Sequence, residues 1–393
     1  MRSLMAAWIA LAAVACGGAA GSAAVEMHER VQVGDLPPVD VRVRIQPEHR
    51  SDADRYLRAA VASVRTCEEW LGPFPRTSLT IVDPVWRSTP DPAAGPVVVQ
   101  RIPWWTTRSA MATEIATARA VSRRCWSELL GGGALPAPLF DAFVEYTARR
   151  VVGPLFERQD GPPGYRFLEV RYFGGFVPRF VRVRRLPETD DRDRGVLVLG
   201  TLERWLGSPV FDEVVAEFVR TYGGRAAAVA DLERVASDVS GQNLSWFFDQ
   251  TLQSTGAIDY GIERLVGSRQ EDGSYLTTVV GIRYGAVMFT GSSAPRVGPF
   301  EQGRAIMLRV TFADGAEIVD HWDGRDRERT FSYRSSAPAI AAEIDPARVL
   351  LLDLNRTNNS RTMTPQGGAV ATRWAGRWLI WMQDLLLTYA SLV

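Results

Sequence analysis

The chain has 393 residues, of which 46% are hydrophobic and 23% are charged. This composition is typical of a folded globular protein with room for one large core or two smaller ones. The formal net charge at pH 7 is zero, which argues against a nucleic-acid partner because such partners require a basic face.

The first residues have the pattern of a secretory signal, which we assign to residues 1–24. Arg2 supplies a positive charge, and residues 4–15 form an apolar run too short to span a bilayer as an ordinary helix. The motif AVACG, which contains Cys16, is similar to a bacterial lipoprotein cleavage box and makes Cys16 a lipidation candidate. The alternative is ordinary cleavage near Ala24. Both interpretations predict an exported protein, either periplasmic or at the cell surface.

Periodicity predicts the elements of the next region, residues 27–257. Residues 39–45 alternate with period two, as in a strand with one buried face. The other predicted elements are a short strand over residues 79–82 and helices over residues 52–71, 113–130, 139–152, 195–206 and 208–222. Residues 86–108 and 153–194 lack a clear period and are predicted to be irregular, with residues 180–183 as a candidate strand.

The period changes at Tyr260, and residues 258–355 are predicted to form a small β-sandwich. Turn residues such as Asp272-Gly273 and Asp314-Gly315 separate its strands. The predicted strands cover residues 275–284, 305–312, 317–322, 330–333 and 349–354.

Residues 356–393 predict a polar linker followed by an amphipathic helix. A narrow polar face is flanked by a broad apolar one whose members include Trp374, Trp378, Trp381 and Leu385. Tryptophans of this kind suit a helix that lies in a membrane interface or binds a partner. A spanning helix is disfavoured because Asp384 would lie half-way along it. The alternative is a helix docked on its own protein.

Residues 119–146 carry a pattern that resembles the two-helix core of the membrane alanyl aminopeptidase (gluzincin) family of zinc peptidases. In that family the first helix carries HExxH and then an aromatic residue, and the second reads roughly W-L-x-E-G-F-A-E-Y. The scaffold positions kept in this chain are Trp126, Leu139, Phe143, Glu145 and Tyr146. The resemblance extends over roughly residues 55–360. It implies an α+β fold, in which a thermolysin-like, mostly helical domain precedes the β-sandwich and the C-terminal amphipathic helix.

The residues that bind zinc in that family are missing. Position by position, the histidines become Arg119 and Arg123, the general base becomes Ala120, the third ligand aligns with Asp141, and the transition-state tyrosine aligns with Arg192. Arginine has no lone pair to give a metal, and alanine cannot accept a proton. Moreover, no two of the three histidines lie four residues apart, and there is no C-x-x-C pair. Zinc catalysis of the family type is therefore excluded, and no cofactor is expected.

The sequence therefore predicts a non-catalytic, aminopeptidase-like, membrane-associated protein of the cell envelope that acts as a peptide- or protein-binding or scaffold module. We expect Asp141 to pair with Arg119 or Arg123, because unpaired guanidinium groups in a partly buried site are costly. Arg119, Arg123 and Arg192 are candidates for binding an anionic group such as a peptide C-terminus. The alternative is a salt bridge that only fills the cleft. A hydrolase that uses Asp141 and Glu145 as paired carboxylates, or an unrecognised metal site, is the enzymatic alternative.

Two of the three cysteines form a disulfide candidate. The helices that carry Cys67 and Cys125 pack together in the family, and an exported protein permits the oxidised pair. Two unconnected buried thiols are the alternative.

Overall fold

The structure is a computed structural model. It describes residues 24–83, 97–99, 111–131, 135–157, 191–254, 256–289 and 306–364, and four single positions of the tail in helical backbone, Gly368, Ala375, Met382 and Leu386. Three predicted features lie outside the described residues: the predicted signal segment with Cys16, the candidate strand over residues 180–183, and the tail residues Trp374, Trp378, Trp381 and Leu385. The predicted α+β class is confirmed.

A four-stranded sheet opens the described chain, with the order β1-β2-β3-β4. Its strands are β1 (Val25–Val31), β2 (Val39–Ile45), β3 (Ser78–Val82) and β4 (Val97–Val98). β1 pairs antiparallel with β2, and the other two pairings are parallel. β2 alternates strictly between buried and exposed side chains, as predicted. β1 and β4 were missed, and β4 lies in a stretch predicted to be irregular, because two paired residues are too few to show a period.

Seven α-helices are described. They are α1 (Ala53–Leu71), α2 (Ala112–Leu129), α3 (Ala137–Glu157), α4 (Asp191–Leu206), α5 (Ser208–Tyr222), α6 (Val229–Ser240) and α7 (Ser245–Phe248). A 3-10 helix (Pro47–Asp52) leads into α1, and a π-helix (Asp249–Gln253) follows α7. Within the described residues, none of the helices combines the length and apolar content that crossing a membrane requires.

The predicted end of the second site helix at residue 152 is wrong. α3 continues through Gly153 and Pro154 to Glu157. Proline inside a helix removes one backbone hydrogen bond. The packing of Leu155 against a small buried cluster that includes Val151 and Val152 accompanies the extra turn. Likewise α4 begins four residues earlier than predicted, so that Arg192 is helical.

The described residues between 260 and 362 include two antiparallel sheets, with the orders β5-β6-β9 and β11-β10-β7-β8. The strands are β5 (Tyr260–Arg269), β6 (Tyr275–Arg283), β7 (Ile306–Phe312), β8 (Glu317–Trp322), β9 (Glu328–Ser335), β10 (Ala339–Ile344) and β11 (Ser360–Thr362). Strands β6 to β9 were predicted, whereas β5, β10 and β11 were missed. Buried residues of both sheets join one hydrophobic cluster with α3 to α7.

The predicted strand over residues 349–354 is wrong. This apolar run is a loop folded around the Asp345 carboxylate, which accepts hydrogen bonds from the backbone N–H groups of Val349 and Leu350, both at 2.8 Å. The run is buried because it packs on α4, where the N–H of Leu351 donates to the Thr201 hydroxyl. A buried loop of this kind has the same apolar composition as a buried strand.

The segment that follows this loop is tied to the start of β5. Ile258 and Asp353 form an isolated β-bridge, and the N–H of Leu354 donates to the Ile258 carbonyl at 2.9 Å. The side-chain amide of Asn358 donates to Asp259 at 2.8 Å. Residues 353–359 therefore close the junction between the helices and the two sheets.

Candidate functional site

The four charged residues of the candidate site lie on two neighbouring helices. Arg119 and Arg123 are one turn apart on α2, and Asp141 and Glu145 are one turn apart on α3. Residues four apart share a helix face. The two arginines of α2 therefore face the two carboxylates of α3 and form two successive contacts between the helices.

Each arginine forms an ion pair with one carboxylate. Arg119 binds Glu145 through two hydrogen bonds, from Nε to Oε2 at 2.5 Å and from Nη2 to Oε1 at 3.0 Å. Arg123 donates from Nη2 to Oδ1 of Asp141 at 2.5 Å. The expected pairing of Asp141 is confirmed, with Arg123 as the partner. The role of Glu145 was missed, although its spacing from Asp141 matches the spacing of the two arginines.

Burial differs between the two ends of each pair. The side chains of Asp141 and Glu145 are 14% and 12% exposed, whereas those of Arg119 and Arg123 are 38% and 47% exposed. The carboxylates are thus the more buried ends of the two pairs, and the guanidinium groups lie nearer the surface. A buried carboxylate needs a cation or several donors. The arginines supply both.

Two further groups surround the pairs. Arg149, one turn after Glu145 on α3, places its Nε 3.7 Å from Oε1 of Glu145. The Arg123 guanidinium lies 5.4 Å from the centre of the Phe140 ring, within the range of a cation–π contact. Glu145 therefore lies between two arginines, and Arg123 is held by both a carboxylate and a ring.

The remaining predicted positions contribute no metal ligand. Ala120 is partly buried and packs against the apolar cluster of the first sheet, α1 and α2. Arg192 belongs to α4, but its side chain lies outside the described set. In the part of the chain that the structure describes, His, Cys, Asp and Glu side chains form no group of three or more that could hold a metal ion.

The scaffold residues of the two helices form their shared core. Trp126 is fully buried, donates its indole N–H to the Thr147 hydroxyl at 2.9 Å, and packs on Phe143 with 4.7 Å between ring centres. Burial raises the pKa of Tyr146 well above its ordinary value, and the hydrogen-bonded Glu203 on α4 acts in the same direction. Tyr146 is therefore a neutral donor that joins α3 to α4.

A cleft lies between α1, α3 and α5, with a volume of about 290 Å³. Arg150 is one of its lining residues: the guanidinium lies 4.5 Å from the Trp70 ring centre and donates from Nη2 to Oδ2 of Asp212 at 2.6 Å. Glu69 and Glu213 also line this cleft and are exposed. The sequence gives no sign of this cleft, because its residues come from three helices that are distant along the chain.

Comparison with known proteins adds one finding. No protein-family model matches the sequence, and no curated protein matches it. Among solved structures, the aminopeptidase A of Legionella pneumophila, determined in complex with aspartic acid, matches 84% of this chain with a TM-score of 0.52. The fold is peptidase-like. Sequence identity is 13% and this chain spans 38% of that protein's chain, so the similarity concerns the fold alone.

Proposed function

We propose that this protein is a non-catalytic relative of zinc aminopeptidases that acts at the cell envelope as a peptide- or protein-binding or scaffold module. The observation that carries the proposal is the double ion pair between α2 and α3. Three of its four residues, Arg119, Arg123 and Asp141, correspond by the resemblance to the two histidines and the third ligand of the zinc site. The peptidase-like fold supports the ancestry, and the N-terminal pattern supports export.

The geometry also argues against catalysis by paired carboxylates. A general base must offer an oxygen to a substrate or water proton, within hydrogen-bonding distance. Glu145 uses both oxygens for Arg119, and Asp141 is bound by Arg123. A water molecule would have to compete with a guanidinium at either residue.

The same pairing favours a filled site over an anion site. An anionic ligand at Arg119 or Arg123 would have to compete with Glu145 or Asp141, each of which is already bound at 2.5 Å. The separate cleft lined by Arg150, with a volume of about 290 Å³, supports a binding place away from these pairs.

Metal analysis and an aminopeptidase assay test the proposal together. The purified protein is dialysed with zinc, its metal content is measured, and it is assayed against a panel of aminoacyl p-nitroanilides. The matched control is the triple variant Arg119→His, Ala120→Glu, Arg123→His, which restores the HExxH spacing beside Asp141.

We expect stoichiometric zinc in the triple variant, and neither zinc nor turnover in the natural sequence. Zinc or turnover in the natural sequence would overturn the proposal. A triple variant that folds but binds no zinc would count against the peptidase ancestry of the helix pair. For the anion alternative, an anion-dependent rise in melting temperature that Arg123→Ala abolishes would favour binding over a filled site.

A further inference from the structure

Two cysteines face each other in the core between α1 and α2. Cys67 on α1 is 0% exposed and Cys125 on α2 is 1% exposed. Both belong to the apolar cluster that these helices form with the first sheet, and the two side chains lie close enough to interact. Both are thiols in this structure. The two sulfurs are thus neighbours although the residues are far apart in sequence.

The surroundings disfavour the ionised form of Cys125. Burial raises the pKa of Cys125 well above its ordinary value, and the neighbouring Cys67 and the carboxylates of Glu128 and Glu68 raise it further. Metal ligation and nucleophilic catalysis both use the thiolate. A disulfide, in contrast, is neutral and apolar, and it suits this core without any buried charge.

We propose that Cys67 and Cys125 form a disulfide that links α1 to α2. Formation requires an oxidant, for which we name a small-molecule disulfide such as oxidised glutathione. One cysteine thiolate attacks it and releases one glutathione thiol; the second cysteine then attacks the mixed disulfide and releases the other. In total the two cysteines lose two protons and two electrons, and the oxidant becomes two thiols.

Complete burial determines when this exchange can occur. An external disulfide cannot reach either sulfur in the folded chain, because both are within the α1–α2 core. The bond must therefore form during folding, before α2 closes on α1. Once formed, it fixes α2, which carries Arg119 and Arg123, against α1 and the first sheet.

Differential alkylation of the full chain tests the bond. The protein carries Cys16→Ser so that no third cysteine can pair. It is folded in a mixture of reduced and oxidised glutathione, and a parallel sample is folded with excess dithiothreitol. Each is denatured, labelled with a first alkylating reagent, reduced, and labelled with a second. Peptide mass spectrometry then reads the label on each cysteine.

We expect Cys67 and Cys125 to carry the second label after oxidative folding and the first label after reductive folding. The oxidised protein should also melt about 5 °C higher than the reduced one. In Cys67→Ala, Cys125 should take the first label or carry glutathione, and the difference in melting temperature should vanish. First label on both cysteines of natively folded, oxidatively prepared protein would overturn the proposal, whether or not the alanine variant folds.

Discussion

The Arg119–Glu145 pair is the contact at the candidate site that we expect to contribute most to stability. Replacing Arg119 with methionine leaves a carboxylate that is 12% exposed, with Arg149 as the neighbouring cation at 3.7 Å. Removing one partner of a fully buried ion pair costs about 3–5 kcal/mol. Arg119 is 38% exposed and Arg149 remains, so we expect Arg119→Met to lower the free energy of unfolding by about 1–2 kcal/mol.

A double-mutant cycle isolates the pair itself. Arg119→Met, Glu145→Gln and the double variant are unfolded in urea, with tryptophan fluorescence and circular dichroism as probes. Because two hydrogen bonds join the pair, we expect a coupling energy of about 1 kcal/mol. The single hydrogen bond of Arg123 to Asp141 predicts a smaller coupling of about 0.5 kcal/mol.

An exposed pair on α1 provides the matched control. Arg58 and Asp54 form an i, i+4 ion pair at 2.9 Å, with side chains 49% and 63% exposed. Pairs of this kind couple by about 0.3–0.5 kcal/mol in helices. If the coupling of Arg119 with Glu145 is no larger than that of the control pair, the explanation of the site as a stabilising replacement for the metal is wrong.

Three further outcomes are expected. Burial raises the pKa of Asp353 to about 7 from 3.8, so the folded chain binds the extra proton between these values. The free energy of unfolding should therefore fall as the pH rises through that window, by at most about 1.4 kcal/mol per pH unit, and Asp353→Asn should flatten the fall in urea titrations at several pH values. Gly285→Ala would overlap backbone atoms of residues 257 and 259, and it should lower the urea midpoint by the equivalent of about 1–3 kcal/mol, whereas Gly153→Ala, whose added methyl meets no atom within 4 Å, should cost less. Trp126→Phe removes the hydrogen bond to Thr147 and should cost about 1–3 kcal/mol, with Thr147→Val in the same background restoring part of the loss; no recovery would show that the indole N–H is not the cause.

Sequence patterns were most informative where one face of an element is buried. The helix over residues 208–222 and the strand over residues 317–322 have the predicted bounds, because turn residues flank a clear period. The strand prediction for residues 349–354 was wrong because an apolar run indicates burial, but it does not indicate whether the backbone pairs with another strand. The end of α3 was predicted too early because the helix continues through Pro154 to Glu157.

The candidate site was predictable in part. The loss of metal ligands follows from residue types alone, since arginine and alanine cannot bind zinc. The pairing of Asp141 was foreseen from charge, but the choice of partner depends on how α2 and α3 are aligned. Glu145 was assigned to the scaffold by resemblance, and its bond to Arg119 became visible only when the two helices were side by side.

The contacts between residues 353–359 and the start of β5 determine how far the chain can be shortened from its C-terminal side without unfolding. β11 has three residues and ends at Thr362, so fraying from that side should stop at Asn358 and Asn359, whose side chains are bound to Asp259 and Asp353. A chain that ends at Thr364 should therefore keep the helices and both sheets folded. A truncation that removes residues 353–359 should instead abolish the contacts that join the helices to the two sheets. Both the helices and the sheets should then become sensitive to proteases.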